Sequence, residues 1–310
     1  MTAILTDAAF ATAAWLACQV GAAALRHGVN SEPAHQLPAS VMLTPIFTLA
    51  AVLYAVCAFL PPRYRTVISA GTLAGWLLHG GALWVDMLTA DTLRVGFAVM
   101  LSATLWISVA AYWLENRNAA LDGLRALVLP CAGLAVLLPV VFPGSVVPLA
   151  GRSPLFAWHM AISILAYSTL TIAAFHAVLM ALQESRLHPR AGLVTGGWMN
   201  AAIDRLPPVL TMEKWLFRLI GFGFALLTLT LLSGVVFSEQ LFGIPFKWDH
   251  KNIFSILSWA LFGLLLAGRR WRGWRGRTAL SFTLSGFATL LLAYVGSRFV
   301  LEVVLHRSVI

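Results

Sequence analysis

Apolar runs of membrane-spanning length follow one another along almost the whole chain, and short polar segments separate them. A helix of about 20 apolar residues is long enough to cross the hydrocarbon core of a bilayer. We therefore predict an all-α, polytopic membrane helix bundle with eight or nine transmembrane helices. The predicted spans are approximately residues 8–25, 42–60, 67–87, 93–114, 126–142, 155–182, 215–237, 253–267 and 279–305.

The first run sets the choice between eight and nine spans. No Lys or Arg precedes it, whereas a secretory signal normally has a basic start, so we interpret residues 8–25 as a retained helix. Nine spans place the N-terminus on the same side as the arginine-rich loops. Eight spans result if the first run is removed or lies on the membrane surface.

Arginines occur in alternate loops between the predicted spans, and the intervening loops hold few cations. The positive-inside rule places arginine-rich loops in the cytoplasm and the other loops outside. The arginines concerned are Arg63, Arg65, Arg117, Arg125, Arg186, Arg190, Arg205, Arg269, Arg270, Arg272, Arg275 and Arg277.

Composition agrees with a membrane protein, because 60% of the residues are hydrophobic and only 11% are charged. A soluble protein of ordinary composition is about a quarter charged. The net charge of +9 does not indicate nucleic-acid binding, since the arginines sit in short loops between apolar spans. The three cysteines, Cys18, Cys57 and Cys131, lie in apolar segments without CxxC spacing, which argues against a thiol-redox role.

With this orientation, three histidines from distant parts of the sequence lie near the outer membrane surface. His159 is about one turn into the sixth span, His250 opens the eighth span, and His306 ends the ninth. Neutral imidazole is well suited to axial ligation of haem iron, and two histidines at one depth can hold a porphyrin between them. His159, His250 and His306 are therefore all candidate iron ligands.

Other residues near this surface allow two interpretations. Trp248 would add flat apolar surface beside a haem, or would be ordinary interfacial tryptophan. Arg298 would reach a haem propionate, or would pair with Glu302 one turn further on. His250 would be a ligand or a solvated loop residue, and His306 a ligand or a frayed near-terminal residue.

His79 and His176 lie well inside predicted spans, where ionisable residues are costly and indicate function by default. Each could instead be a neutral histidine hydrogen-bonded to a neighbouring helix. Together they could form a deeper haem site, as in an electron carrier, or line an ion or proton path with Arg298. Asp86 and Asp249 are interpreted as loop or helix-start carboxylates without chemistry.

The second half of the chain contains a series of motifs: Trp248, Asp249 and Lys251, then Trp259, the GWRGR segment 273–277, Gly286 and Phe287, Tyr294 and Gly296, His306, and the helix with His159 and Tyr167. Together they resemble the cytochrome c assembly (haem-handling) membrane protein superfamily, and the resemblance runs from about residue 73 to 306. The segment LPPVLTMEKWLFRLIGFGFALLTLTLLSG resembles specifically its shorter inner-membrane, YpjD-like branch.

The resemblance implies haem binding by His159 and His306, but the chain departs from the family pattern. Only Trp248 remains of the tryptophan-rich outer loop, and His250 and Asn252 replace the expected Pro and Glu. The family's further transmembrane histidine lies near a GHxP sequence that is absent here, so His79 is a substitute by depth only.

The expected function is that of a membrane haem-handling protein that binds haem b and assists c-type cytochrome assembly in a bacterial inner membrane. It would be a binding or transfer component without turnover of its own, because no nucleophile–base pair, carboxylate dyad or phosphate loop is visible. Its expected partners are the bilayer and an apocytochrome c or other assembly proteins. The alternative is an accessory subunit of an ion or metal transport system without haem. We expect residues 1–40 to lie outside a domain formed by residues 41–310.

Overall fold

The computed structural model describes residues 39–89, 92–118, 122–148, 154–187, 206–242 and 248–300. A 3-10 turn, Pro62–Tyr64, joins the first two helices, and a π-helical segment, Leu292–Gly296, joins the last two. The strands are β1 (Leu88–Thr89), β2 (Thr92–Val95) and β3 (Ser145–Pro148). The helices are α1 (Ala39–Phe59), α2 (Arg65–Met87), α3 (Phe97–Asn118), α4 (Asp122–Ala135), α5 (Leu138–Val141), α6 (Pro154–Leu187), α7 (Val209–Phe242), α8 (His250–Arg272), α9 (Gly276–Leu291) and α10 (Ser297–Phe299).

These helices confirm the predicted all-α membrane bundle from the second span to the ninth. Six of them are long and apolar enough to cross a membrane, and α1 contributes a shorter apolar stretch, Leu43–Phe59. The predicted first span lies outside the described residues. The boundary expected near residue 40 stays a prediction.

Helices α6 and α7 extend beyond the spans predicted for them. Each has 34 residues and is therefore about 51 Å long, well beyond a hydrocarbon core of about 30 Å. Their additional turns carry Glu184 and Glu213, which form ion pairs with arginines of other elements. Because arginines compensate the charges of these carboxylates, each helix extends beyond the position at which hydropathy alone predicts its end.

A three-stranded antiparallel sheet, in the order β1-β2-β3, was not predicted. In its register, Leu93 of β2 lies opposite Val147 of β3, and both belong to a hydrophobic cluster against which Phe156 and Met160 of α6 pack. The fourth predicted span, which is helix α3, therefore begins at Phe97, after a strand, and not near residue 93 as predicted. The sheet joins the connections that follow α2 and α5, and we call this end of the bundle the sheet end.

The opposite end, formed by the junctions α1–α2, α3–α4, α6–α7 and α8–α9, carries the described arginines of the alternating loops. We call it the arginine end. There the Arg125 guanidinium donates a hydrogen bond to the Leu60 carbonyl at 3.0 Å, which connects the first two junctions. The predicted alternation of the loops thus holds for the part of the chain that the structure describes.

A buried carboxylate holds three of these elements together at the arginine end. Glu213 of α7 accepts hydrogen bonds from Arg269 of α8 at 2.5 Å and from Arg275 of the α8–α9 turn at 2.9 Å. Its side chain is only 4% exposed, so the two guanidinium groups replace the solvation that it loses. An outer pair, Arg277 with Glu184 at 3.1 Å, connects α9 to α6.

The GWRGR segment forms the tight turn that makes these ion pairs possible. Gly273 ends α8 with a φ of 66°, in the left-handed region that favours glycine. The backbone N–H of Trp274 donates to the Gly268 carbonyl at 3.2 Å. The indole of Trp274 lies directly over Gly268, where an added Cβ atom would collide with it. The same indole stacks on Phe282 of α9. The turn therefore depends on a glycine–tryptophan contact as well as on the arginines.

Replacing Glu213 by Gln should lower the free energy of unfolding by about 2 kcal/mol. That is less than the cost of breaking a fully buried ion pair, because Arg269 and Arg275 keep partial access to solvent. The measurement is denaturant unfolding in detergent micelles. The matched control is Glu184→Gln, whose more exposed pair should contribute less than about 1 kcal/mol. Equal losses in both variants would contradict the special role of Glu213.

Gly268→Ala should destabilise the protein by about 1–3 kcal/mol, because the added methyl group overpacks the Trp274 contact. Gly221→Ala, in α7, is the control, since a Cβ atom there meets nothing within 4 Å. Alanine is the better helix former, so this control should be neutral or stabilise by up to about 1 kcal/mol. Thermal unfolding of both variants in detergent compares them directly, and a neutral Gly268→Ala would refute the packing argument.

Candidate functional site

His159 lies near the start of α6, at the sheet end, and is half-buried. Its Nδ1 atom is 2.8 Å from Oγ of Ser233 in α7. The Ser233 hydroxyl in turn donates its proton to the Thr230 carbonyl at 3.1 Å. In the arrangement in which Ser233 donates to that carbonyl, its oxygen accepts from His159, the imidazole proton is on Nδ1 and the lone pair is on Nε2. This is the tautomer that a metal-ligating histidine adopts when a neighbouring group orients it.

Two further elements approach His159. Helix α7 comes close at Gly234, where an added Cβ atom would lie 3.5 Å from Cε1 of the imidazole. Lys251, in the first turn of α8, interacts electrostatically with His159. Asp249 caps that helix by accepting a hydrogen bond from the Asn252 N–H at 2.8 Å, as expected for a helix-start carboxylate.

A pair of tyrosines lies next to this group. Tyr167 of α6 and Tyr294 of the π-helical segment make an edge-to-face contact with ring centroids 6.3 Å apart. Tyr167 also lies near Ser255 of α8, and the Lys251 ammonium lies 5.8 Å from the centre of the Tyr294 ring. π-helical turns are rare and often mark functional sites. Residues from three separate sequence motifs are thus brought together at the sheet end.

The remaining predicted residues of this site are placed differently. His250 is the first residue of α8 and is exposed. Trp248, just before the cap, is 77% exposed, which agrees with either a haem-facing or an interfacial tryptophan. His306 and the side chain of Arg298 lie outside the described residues, so their predicted roles stay predictions.

His79 is hydrogen-bonded to neighbouring helices, which is one of the two alternatives that the sequence allowed. It is fully buried in α2, with Nε2 2.9 Å from Oγ of Ser102 in α3 and Nδ1 3.3 Å from the hydroxyl of Tyr54 in α1. An iron ligand needs one ring nitrogen for the metal, and both nitrogens here have hydroxyl partners. The geometry therefore favours a role in joining α1, α2 and α3, and it does not support His79 as part of a haem site.

The suggested deeper haem site between His79 and His176 is wrong. His176 of α6 lies beside Glu115 of α3, whereas His79 contacts Ser102 of the same helix. Residues 102 and 115 are 13 positions apart, about 20 Å along the helix axis. Two axial ligands of one iron must lie within about 4 Å of each other, since each metal–nitrogen bond is about 2 Å long.

Asp86 is also placed differently from the expectation. It lies in the last turn of α2, buried, with a carboxylate oxygen 3.6 Å from Nη1 of Arg94 in β2. It is therefore neither a loop nor a helix-start carboxylate, but part of an ion pair between α2 and the sheet.

Sequence reasoning did not identify Ser233, Glu115 or Glu213. Ser233 and Glu213 were visible only as polar residues in or near an apolar span, a signal that many helical serines and glutamates share. What distinguishes them is the residue that each contacts, which is 74 positions away for Ser233 and 56 for Glu213.

The chain is similar to known proteins over most of its length. The family model described as "Cytochrome C assembly protein" matches residues 68–305. Inner membrane protein YpjD of Escherichia coli (strain K12) is 30% identical over 182 residues, which cover 54% of this chain and 65% of YpjD. Cytochrome c biogenesis protein CcsA of Prochlorococcus marinus is 29% identical over 171 residues, which cover 50% and 54%. CcsA of Heterosigma akashiwo is 33% identical over 100 residues, 32% and 31% of the two chains.

The matched range includes the residues gathered at the sheet end, His159, Tyr167, Lys251 and Tyr294, and the whole GWRGR turn. The chain covers less than two thirds of the length of these relatives. The family model nevertheless covers well over half of this chain, and it confirms the resemblance seen in the motifs. The chain belongs to the cytochrome c assembly protein family of multi-pass membrane proteins.

Proposed function

We propose that this protein binds haem b at the sheet end and handles haem during the assembly of c-type cytochromes. His159 is one axial ligand, His306 is the second, and His250 is the alternative to His306. The observation that carries the proposal is the contact of 2.8 Å between His159 Nδ1 and Oγ of Ser233, because a hydrogen-bond partner at one ring nitrogen is how a metal-ligating histidine is oriented. Family membership and the CcsA relatives, whose name includes cytochrome c biogenesis, supply the biological context.

The residues around His159 fit such a group. Lys251 supplies a positive charge close to the imidazole, suited to a propionate carboxylate, and Arg298 would add a second. Tyr167 and Tyr294 add a pair of aromatic rings next to Lys251, and Trp248 offers an exposed apolar face. Bound haem would supply an iron centre able to exchange axial ligands and electrons.

The positive-inside rule orients the bundle with the arginine end in the cytoplasm. The haem site then lies at the outer face of a bacterial inner membrane, the location named for the YpjD relative. A partner there, an apocytochrome c or another assembly protein, would receive or supply the haem. The protein itself acts as a binding or transfer component without turnover of its own.

Substituting the candidate ligands should remove or preserve a haem spectrum in a defined pattern. In the detergent-purified protein, His159→Ala should abolish a Soret band that shifts on reduction. His250→Ala should keep that band if His306 is the second ligand, and His306→Ala should then lose it. A band that survives in His159→Ala, or no band in the wild-type protein supplied with haem, would contradict the proposal and leave the transport-accessory interpretation.

Ser233→Ala should weaken haem binding roughly 10–100-fold, the usual effect of removing the group that orients a metal-ligating histidine. The Soret band should remain at saturating haem, because the ligand itself is intact. Haem titration followed by absorption measures the affinity. Thr289→Ala is the control, since it also removes a helix hydroxyl bonded to a carbonyl, but on exposed α9. Equal affinities of the two variants would show that Ser233 does not position His159.

A further inference from the structure

A second buried histidine of α6 faces a carboxylate across the α3–α6 interface. Nε2 of His176 is 3.5 Å from Oε2 of Glu115. The His176 side chain has no solvent exposure, and that of Glu115 is 28% exposed. Among the described residues, neither of these two atoms has another hydrogen-bond partner. This pair is separate from the proposed haem site, since residues 159 and 176 are about 26 Å apart along α6.

The two facing atoms, Nε2 of His176 and Oε2 of Glu115, lack a proton that one of them could donate to the other. Nδ1 of His176 is 3.0 Å from the carbonyl oxygen of Ile172, which can only accept, so Nδ1 carries a proton. In the neutral imidazole, Nε2 is then an acceptor, and a carboxylate oxygen is an acceptor as well. Two buried acceptors facing each other at this distance are unfavourable unless a proton lies between them.

We propose that Glu115 and His176 form a binding site for one exchangeable proton at the arginine end. Proton uptake from water converts a carboxylate and a neutral imidazole into a pair with no net charge, either a carboxylic acid that donates to a neutral imidazole at Nε2 or an imidazolium that donates to the carboxylate at Oε2. Release returns the proton to water and leaves the carboxylate. Glu115 lies one turn before the end of α3 and is partly exposed, so it is the route of exchange.

Two of the carboxylates on the surrounding elements form ion pairs with other arginines: Glu213 of α7 with Arg269 and Arg275, and Glu184 of α6 with Arg277. Arg125 of α4 donates to the neutral Leu60 carbonyl, and its Nε has no hydrogen-bond partner among the described residues. None of these arginines forms an ion pair with Glu115, so a proton is the counter-charge that we assign to its carboxylate. No group of three or more His, Cys, Asp or Glu side chains suited to a metal occurs in the described ranges.

The test follows the full-length protein in detergent from acidic to alkaline pH. Infrared difference spectra should show one protonation change of a water-shielded group, which disappears in Glu115→Gln and in His176→Gln and persists in Glu184→Gln. The thermal midpoint of the wild-type protein should fall by roughly 2–4 °C as the shared proton is lost at alkaline pH. Glu115→Gln should lack this fall, because its amide donates to Nε2 at every pH, and Glu115→Asp should restore it.

Three results would overturn the proposal. One is the same alkaline fall in the wild-type protein and in Glu115→Gln. Another is an infrared protonation band that keeps its frequency in wild-type protein carrying ¹³C-glutamate and ¹⁵N-histidine, because the titrating group would then be neither residue type; this measurement does not depend on whether a variant folds. The third is a midpoint lowered by a chelator in the wild-type protein alone, since this would make the pair a site for a divalent metal ion.

Discussion

The ion pairs of the buried Glu213 carboxylate are the constraint on which the rest of the arrangement depends. An unpaired charge with this little exposure would be costly, so α7 can be stable here only where Arg269 and Arg275 reach it. That requirement fixes α7 against α8 and the α8–α9 turn. Helices are stiff, so the opposite ends follow: Ser233 lies about 30 Å from Glu213 along α7, and Lys251 about 27 Å from Arg269 along α8. Both reach the surroundings of His159.

The sequence was sufficient for the helices, because apolar length and loop charge are local properties of the chain. The bundle, the order of the spans and the common end of the arginine loops follow from them. The sheet was missed because pairing of Leu93 with Val147 joins segments 54 positions apart, and each segment alone is only a short apolar run. The extended ends of α6 and α7 were missed for a related reason. Glu184 and Glu213 are tolerated in those helices because of arginines that are distant in sequence.

The residues of the candidate site were likewise predictable only in part from the sequence. His159 was identifiable because a histidine at the end of a span is unusual and lies in a recognisable motif. Its partner Ser233 was not, since the contact depends on the register between α6 and α7. For His79, hydropathy placed the histidine inside a span, where it must either have a function or be hydrogen-bonded to a neighbouring helix. Hydropathy could not distinguish between these two alternatives. The answer lies in the hydroxyls of Tyr54 and Ser102, which belong to two other helices.

Under the two proposals, His159 and His176 of the same helix bind different ligands. Each has a partner at Nδ1, the Ser233 hydroxyl for His159 and the Ile172 carbonyl for His176. What differs is access. His176 is sealed between α3 and α6 with a carboxylate in front of it, so a porphyrin could enter only by separating the helices, whereas a proton needs no space. His159 is only partly buried near the start of α6, beside the Lys251 cation. Burial is therefore the physical reason for proposing the smaller ligand in the interior and the larger one at the partly exposed position.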